Sequence, residues 1–94
     1  MVGEMAAHLT LELDPQNHSI YIYLQPAEGH KVARTEQIDQ GVLLDLGKRG
    51  RVLGVEILGA KAVSALFSRV AQEPRLRPLA ALASKKNLLA RLIA

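Results

Sequence analysis

Apolar residues fall on alternate positions through the first sixty residues and then, past Gly59, on every third or fourth. This change of period constrains the fold more than any other feature. Leu9, Leu11 and Leu13 alternate with His8, Thr10 and Glu12, Ile20, Ile22 and Leu24 alternate with Tyr21 and Tyr23, and Val42, Leu44 and Leu46 bracket Leu43 and Asp45. A spacing of two puts each set on one face of a strand. Val63, Leu66, Phe67 and Val70 instead follow the i, i+3, i+4, i+7 stripe of an amphipathic helix. The expected class is α+β: a small antiparallel β-meander of about five strands over residues 9–58, an amphipathic helix over 60–72 and a basic, Leu-rich helical tail over 78–94. A chain of 94 residues supports one core but not two, so a single domain is expected.

Breakers divide the pattern into elements. Asp14-Pro15-Gln16-Asn17-His18 turns the first two strands into a hairpin. Pro26 and Gly29 mark a loop, residues 32–38 form a weaker strand of open register, and Asp39-Gln40-Gly41 turns it into residues 42–46. Gly47-Lys48-Arg49-Gly50 is a tight turn into residues 51–58. Counted from that turn, Leu46 opposes Arg51, Leu44 opposes Leu53, Val42 opposes Val55 and Glu56 opposes Gly41. The other face then carries Leu43, Asp45, Val52, Gly54 and Glu56 beside Tyr21 and Tyr23, apolar enough to want partial cover. Pro74 stops the first helix near Gln72, and Pro78 suits the first turn of a second. Lys86 would fall inside the stripe of Leu79, Leu82, Leu89 and Ile93, so a break near Ser84, capped by its hydroxyl, is expected.

Hydrophobic residues make up 49% of the chain and aromatics 3%, so the core is aliphatic and thin, and burial against a partner subunit is a natural supplement. The absence of cysteine removes disulfides, thiolate metal sites and cysteine nucleophiles together. Glu4 stands where a signal peptide wants a base, and the longest apolar runs fall far short of the roughly 18 residues of a membrane span. A cytoplasmic protein with no membrane partner is expected. Its charge is split: through Leu58 there are five Lys or Arg against eight acids, net −3, and from Gly59 onward seven bases against Glu73 alone, net +6. An acidic sheet could dock its own basic tail, the tail could reach an anionic partner, or a partner chain could satisfy both.

Few residues point to chemistry. Asp39, Asp45 and Glu56 are the carboxylates to test for acid/base work or a hard cation, but the counted register sets Asp45 and Glu56 about four residues, or about 13 Å, apart. That excludes a shared metal or a carboxylate pair. His8, His18 and His30 lack the spacing of a metal site, and Ser64, Ser68 and Ser84 lack a nucleophile elbow. Gly47-Lys48-Arg49-Gly50-Arg51 leads into a strand and is not a phosphate-binding loop. No catalytic residue, metal or cofactor is expected. Arg75, Arg77, Lys85, Lys86 and Arg91 are the candidate contacts for nucleic acid or another anion, although no aromatic is interleaved with them. Leu88, Leu89, Leu92 and Ile93, with Tyr21 and Tyr23, are the candidate oligomer interface.

The run Leu13-Asp14-Pro15 with Ile20-Tyr21-Ile22, then Val32-Ala33-Arg34-Thr35-Glu36 with Gly41-Val42-Leu43-Leu44-Asp45, then Gly50-Arg51-Val52-Leu53-Gly54-Val55-Glu56-Ile57-Leu58, resembles a family of small bacterial proteins catalogued as domain of unknown function 2283. The resemblance covers about residues 9–60 and implies a compact β-meander with a following helix, and no activity. The family often carries a second acidic residue in the turn after the position of Asp45, where this chain has Gly47-Lys48-Arg49-Gly50, which weakens any metal-binding reading of that turn. The basic tail lies beyond the resemblance. The expected function is a non-enzymatic interaction or regulatory module, homo-oligomeric with a dimer favoured, beside a possible protein partner. The alternative is a small nucleic-acid-binding protein using the basic tail, and a hydrolase or metal-dependent enzyme stands third.

Overall fold

The structure, a computed structural model, describes the backbone of residues 2–6, 9–26 and 29–94, with side chains from residue 9 onward in those ranges. Six strands form one antiparallel sheet: β1 (Val2–Ala6), β2 (Leu9–Asp14), β3 (Ser19–Tyr23), β4 (Arg34–Asp39), β5 (Val42–Leu46) and β6 (Val52–Leu58). Helix α1 (Ala60–Val70), a run of 3-10 turns (Pro74–Lys85) and helix α2 (Lys86–Leu92) follow. The α+β class, the five strands read from alternation and the C-terminal helices all stand. Strand β1 is an addition that the alternation did not signal.

The strands run β1-β2-β3-β6-β5-β4 across the sheet, so the order is not that of a simple meander. Two three-stranded meanders meet where β3 pairs with β6, and the chain passes from the centre of the sheet to its edge between Tyr23 and Arg34. Leu24 and Gln25 donate their N–H groups to the Leu53 carbonyl, and Ala33 donates to that of Leu46. The connection is thereby tied to the first residues of β6 and the last residue of β5.

The β5–β6 register corrects the one counted from the turn. Val42 opposes Ile57, Leu44 opposes Val55 and Asp45 opposes Gly54, but Leu46 opposes Val52. Leu53 is the extra residue of a β-bulge, and the bulge turns Val52 to the inner face, where it is 6% exposed. The turn itself is tight as expected, with Gly50 N–H on the Gly47 carbonyl at 3.0 Å.

Most strand residues at the expected inward positions are buried, Leu9, Leu11, Ile20, Ile22, Val42, Leu44, Leu46, Val55 and Ile57 among them, while Leu13 near the end of β2 is partly buried. Ala62, Val63 and Leu66 of α1 join this core, with α1 packed on β4, β5 and β6, and Gly41 lets the β4–β5 turn close under the start of that helix. Its φ is +74°, and a Cβ there would lie 2.7 Å from the Leu58 carbonyl oxygen and 2.9 Å from the Ala62 Cβ.

The tail begins earlier and winds more tightly than the spacing from Pro78 implied. Helical turns start at Pro74, and Pro78 lies inside them. Proline has no N–H to give to an i−4 carbonyl, which disfavours a regular α-helix here. Leu76, Leu79 and Leu82, spaced by three, form one row of a helix with three residues per turn, and all three are fully buried. The expected break lies at Lys85, one residue past Ser84, and no side chain caps the helix that follows. Leu89 and Ile93 of the last turns are buried in the same core. His18, in the left-handed region at φ 54°, donates from Nδ1 to the Ile93 carbonyl at 2.9 Å, joining the β2–β3 turn to the end of the tail.

Candidate functional site

Alternation that sends aliphatic residues inward sends a different set to the face the helices leave open. In register, Tyr21 lies between Glu12 of β2 and Glu56 of β6. One rung along, Tyr23 pairs with Gly54, Gly54 with Asp45 and Asp45 with Thr35, a row across four strands. Gly54 is the gap in that row. A Cβ there would overlap the ring and hydroxyl of Tyr21, which lies flat across the glycine and reaches Asp45 on the far side.

The polar groups of this face form a connected chain. Thr35 Oγ1 donates to Asp45 Oδ1 at 2.7 Å, and the Tyr21 hydroxyl donates to Oδ2 at 2.8 Å. With its proton committed to the carboxylate, the Tyr21 oxygen accepts from His30 Nε2–H at 2.7 Å. That assignment leaves Nδ1 of the neutral imidazole as an acceptor, and it is buried without a hydrogen-bond partner among the described residues. The three rings meet edge to face, with centroids 4.8 Å apart for Tyr21–Tyr23, 5.3 Å for Tyr23–His30 and 5.7 Å for Tyr21–His30. His30, from the connection between β3 and β4, thus clamps that loop to the sheet.

Burial pushes the Tyr21 phenol well above its ordinary range, and the hydrogen bond and charge of Asp45 add to the effect, with smaller contributions from Tyr23 and Glu56. A phenol so disposed holds its proton at neutral pH, so it is a fixed donor rather than a base or nucleophile. Around it is a shallow concavity of about 280 Å³ lined by Glu12, Asp14, Ser19, Tyr21, Tyr23, His30, Asp45 and Glu56. Among the described residues, four carboxylates and no Lys or Arg line it, a setting suited to a cation resting against aromatic rings. Among the described residues, no group of three or more His, Asp or Glu is arranged to hold a metal ion.

The bulge corrects the spacing of the carboxylates. Glu56 opposes Leu43, not Gly41, so Asp45 and Glu56 are diagonal neighbours about 7–8 Å apart on one face rather than about 13 Å apart. Asp39 stands away from them at the β4–β5 turn, where the Gln40 N–H and the Arg69 guanidinium hold its carboxyl below the usual range. Tyr21 and Tyr23 are half-buried on the outer face. Of the tail residues expected at an oligomer surface, Leu88 and Leu92 are each 39% exposed, whereas Leu89 and Ile93 are in the protein's own core because the tail folds back under the sheet.

The basic candidates also divide. Arg75 lies 2.8 Å from Glu73 and 3.6 Å from Glu36, and these carboxylates, Glu73 foremost, hold its guanidinium protonated beyond its already high ordinary value. Arg77, Lys86 and Arg91 are exposed and Lys85 is half-buried. Ser68 bonds its own helix at the Ser64 carbonyl, 3.0 Å away. His8 lies outside the described residues. His30 and Thr35 were missed as a pair of clamps: a single histidine in a loop carries no periodic signal, and the loop's path over the sheet is set by the β3–β6 pairing.

Among the described residues, no helix is long and apolar enough to cross a membrane. No curated protein and no solved structure matches the chain. A family model described as protein of unknown function DUF2283 matches residues 11–61, more than half the chain, from within β2 to the start of α1, and the chain belongs to that family.

Proposed function

We propose that the protein is a non-enzymatic, cytoplasmic interaction module that associates with copies of itself through the outer face of its sheet. The observation that carries this reading is the Tyr21–Tyr23–His30 cluster, held rigid by Asp45 and Thr35 yet open to solvent over an acidic concavity. A preorganised aromatic plate loses little side-chain freedom when a partner covers it. The helices already cover the inner face, so the outer face is where further apolar and aromatic area can be buried. The locked Tyr21 proton favours binding over catalysis.

Size-exclusion chromatography with light scattering tests the reading. The expected result is a concentration-dependent oligomer that Tyr23→Ala weakens at least tenfold. A protein that stays monomeric at high concentration would overturn it.

One observation favours a second reading, an anion-binding role for the tail: Arg77, Lys85, Lys86 and Arg91 have no carboxylate partner among the described residues. Absorbance at two ultraviolet wavelengths in the same run separates the two. With two Tyr and no Trp, the protein absorbs weakly, and bound nucleic acid would dominate the spectrum of a salt-sensitive peak.

A further inference from the structure

The two sides of the molecule carry complementary surfaces that cannot meet within one chain. On the sheet side, the concavity presents Glu12, Asp14, Asp45 and Glu56 around Tyr21 and Tyr23. On the helical side, α2 buries Leu89 and, just beyond its end, Ile93 is buried as well. At 100° per residue, Leu92, Leu88 and Arg91 follow one another round one flank of the helix, from the edge of the buried side to the side facing away from it, and Lys85, at the N-cap, stands at the Leu92 edge of that flank. Leu88 and Leu92 are each 39% exposed, and Lys85 and Arg91 flank them without a carboxylate partner among the described residues. The result is a short apolar stripe with a basic border, the counterpart of an aromatic floor with an acidic border.

We propose, resting on the self-association argued above, that the occupant of the outer sheet face is the α2 stripe of a second copy of this chain. Lys85 and Arg91 of one copy meet Glu12, Asp14 and Glu56 of the next, while Leu88 and Leu92 lie on the Tyr21 and Tyr23 rings. The charge complementarity is internal to the sequence: the half through Leu58 has net charge −3 and the half from Gly59 has +6. Two ion pairs, Arg69–Asp39 and Arg75–Glu36, use part of that difference inside the molecule, and among the described residues no ion pair reaches the concavity or the α2 stripe.

Because the two patches lie on different sides of a body of 34 × 27 × 24 Å, one pair of copies does not satisfy both. The contact is head to tail, and it propagates to a closed ring or an open chain rather than ending at a two-fold dimer.

Complementary variants test this. Glu12→Lys with Glu56→Lys spoils the sheet patch and keeps the stripe. Leu88→Gln with Arg91→Glu spoils the stripe and keeps the sheet patch. All four positions are at least partly exposed, and circular dichroism and thermal melting check that each variant folds. By light scattering, the wild type is expected to assemble beyond a dimer, with affinity falling roughly tenfold between about 50 and about 500 mM NaCl. Each variant alone is expected to be monomeric, and their equimolar mixture to form a one-to-one pair that grows no further. Should the stripe variant assemble as the wild type does while the sheet variant does not, the outer face meets another outer face, and the head-to-tail contact is wrong although self-association stands. A wild type that remains monomeric overturns both.

Discussion

Gly54 has no side chain of its own to contribute, yet it decides where Tyr21 can lie. Adding a methyl group drives the ring off the sheet and breaks its bonds to Asp45 and His30 together, because both run through one hydroxyl oxygen. Gly54→Ala is expected to cost about 1–3 kcal/mol in urea unfolding, and to release the loop carrying His30. Tyr21→Phe keeps the ring and removes only the hydroxyl, at a cost of about 1 kcal/mol. It also changes the response to alkali. The Tyr21 phenol ionises more readily in the unfolded chain than in the folded one, since burial and Asp45 oppose its charge only in the fold. Stability contributed by the retained proton is therefore complete below the unfolded value of about 10 and is lost as pH rises beyond it. Urea midpoints measured from pH 8 to 11 should fall in the wild type and fall less steeply in Tyr21→Phe.

Among the elements, the 3-10 run is the one whose sequence and geometry bind each other most tightly. Leu76, Leu79 and Leu82 reach the core together only while the segment keeps three residues per turn, since at 3.6 the row would spiral off the buried side. Leu79→Ala should cost about 2–5 kcal/mol by thermal or chemical unfolding, as expected for truncating a fully buried leucine. The ion pairs that join this side of the molecule to strand β4 are exposed and are expected to contribute little at neutral pH. They do set an acid response. The Arg75 guanidinium holds the Glu73 carboxyl below its usual range, and the Gln40 N–H and then Arg69 do the same for Asp39. Folded-state values below the unfolded ones mean that the stabilisation is present above about pH 4 and lost as pH falls further. Arg75→Gln, compared with wild type by acid titration followed by circular dichroism, should lessen that dependence.

For the whole molecule, what could be read in advance follows from how local each signal is. A period of two identifies a strand and its buried face from five or six residues, so Leu9, Ile20, Val42 and Val55 stand where alternation puts them. The neighbour of each strand is a different matter: nothing within residues 19–23 or 34–39 states that β3 meets β6 rather than β4. The β5–β6 register slipped because counting from a tight turn assumes an uninterrupted ladder, and the bulge at Leu53 breaks it. That slip placed Asp45 and Glu56 too far apart and hid the acidic face. The tail held a signal of its own in the spacing of three from Leu76 to Leu82 beside Pro74 and Pro78, which a search for helical periods of 3.6 passes over.

The bond from His18 to the Ile93 carbonyl sets the order in which the molecule can be finished. Synthesis delivers β2 and β3 early, but their inner face keeps Leu11, Ile20 and Ile22 uncovered until residues some seventy positions later arrive. Until the tail docks, the inner face of that hairpin is bare, and such apolar surface is prone to meet other chains. Arrival of the tail and burial of the first hairpin are thus nearly one event. Changes that keep the tail from docking should therefore show their effect as insolubility of the sheet it covers.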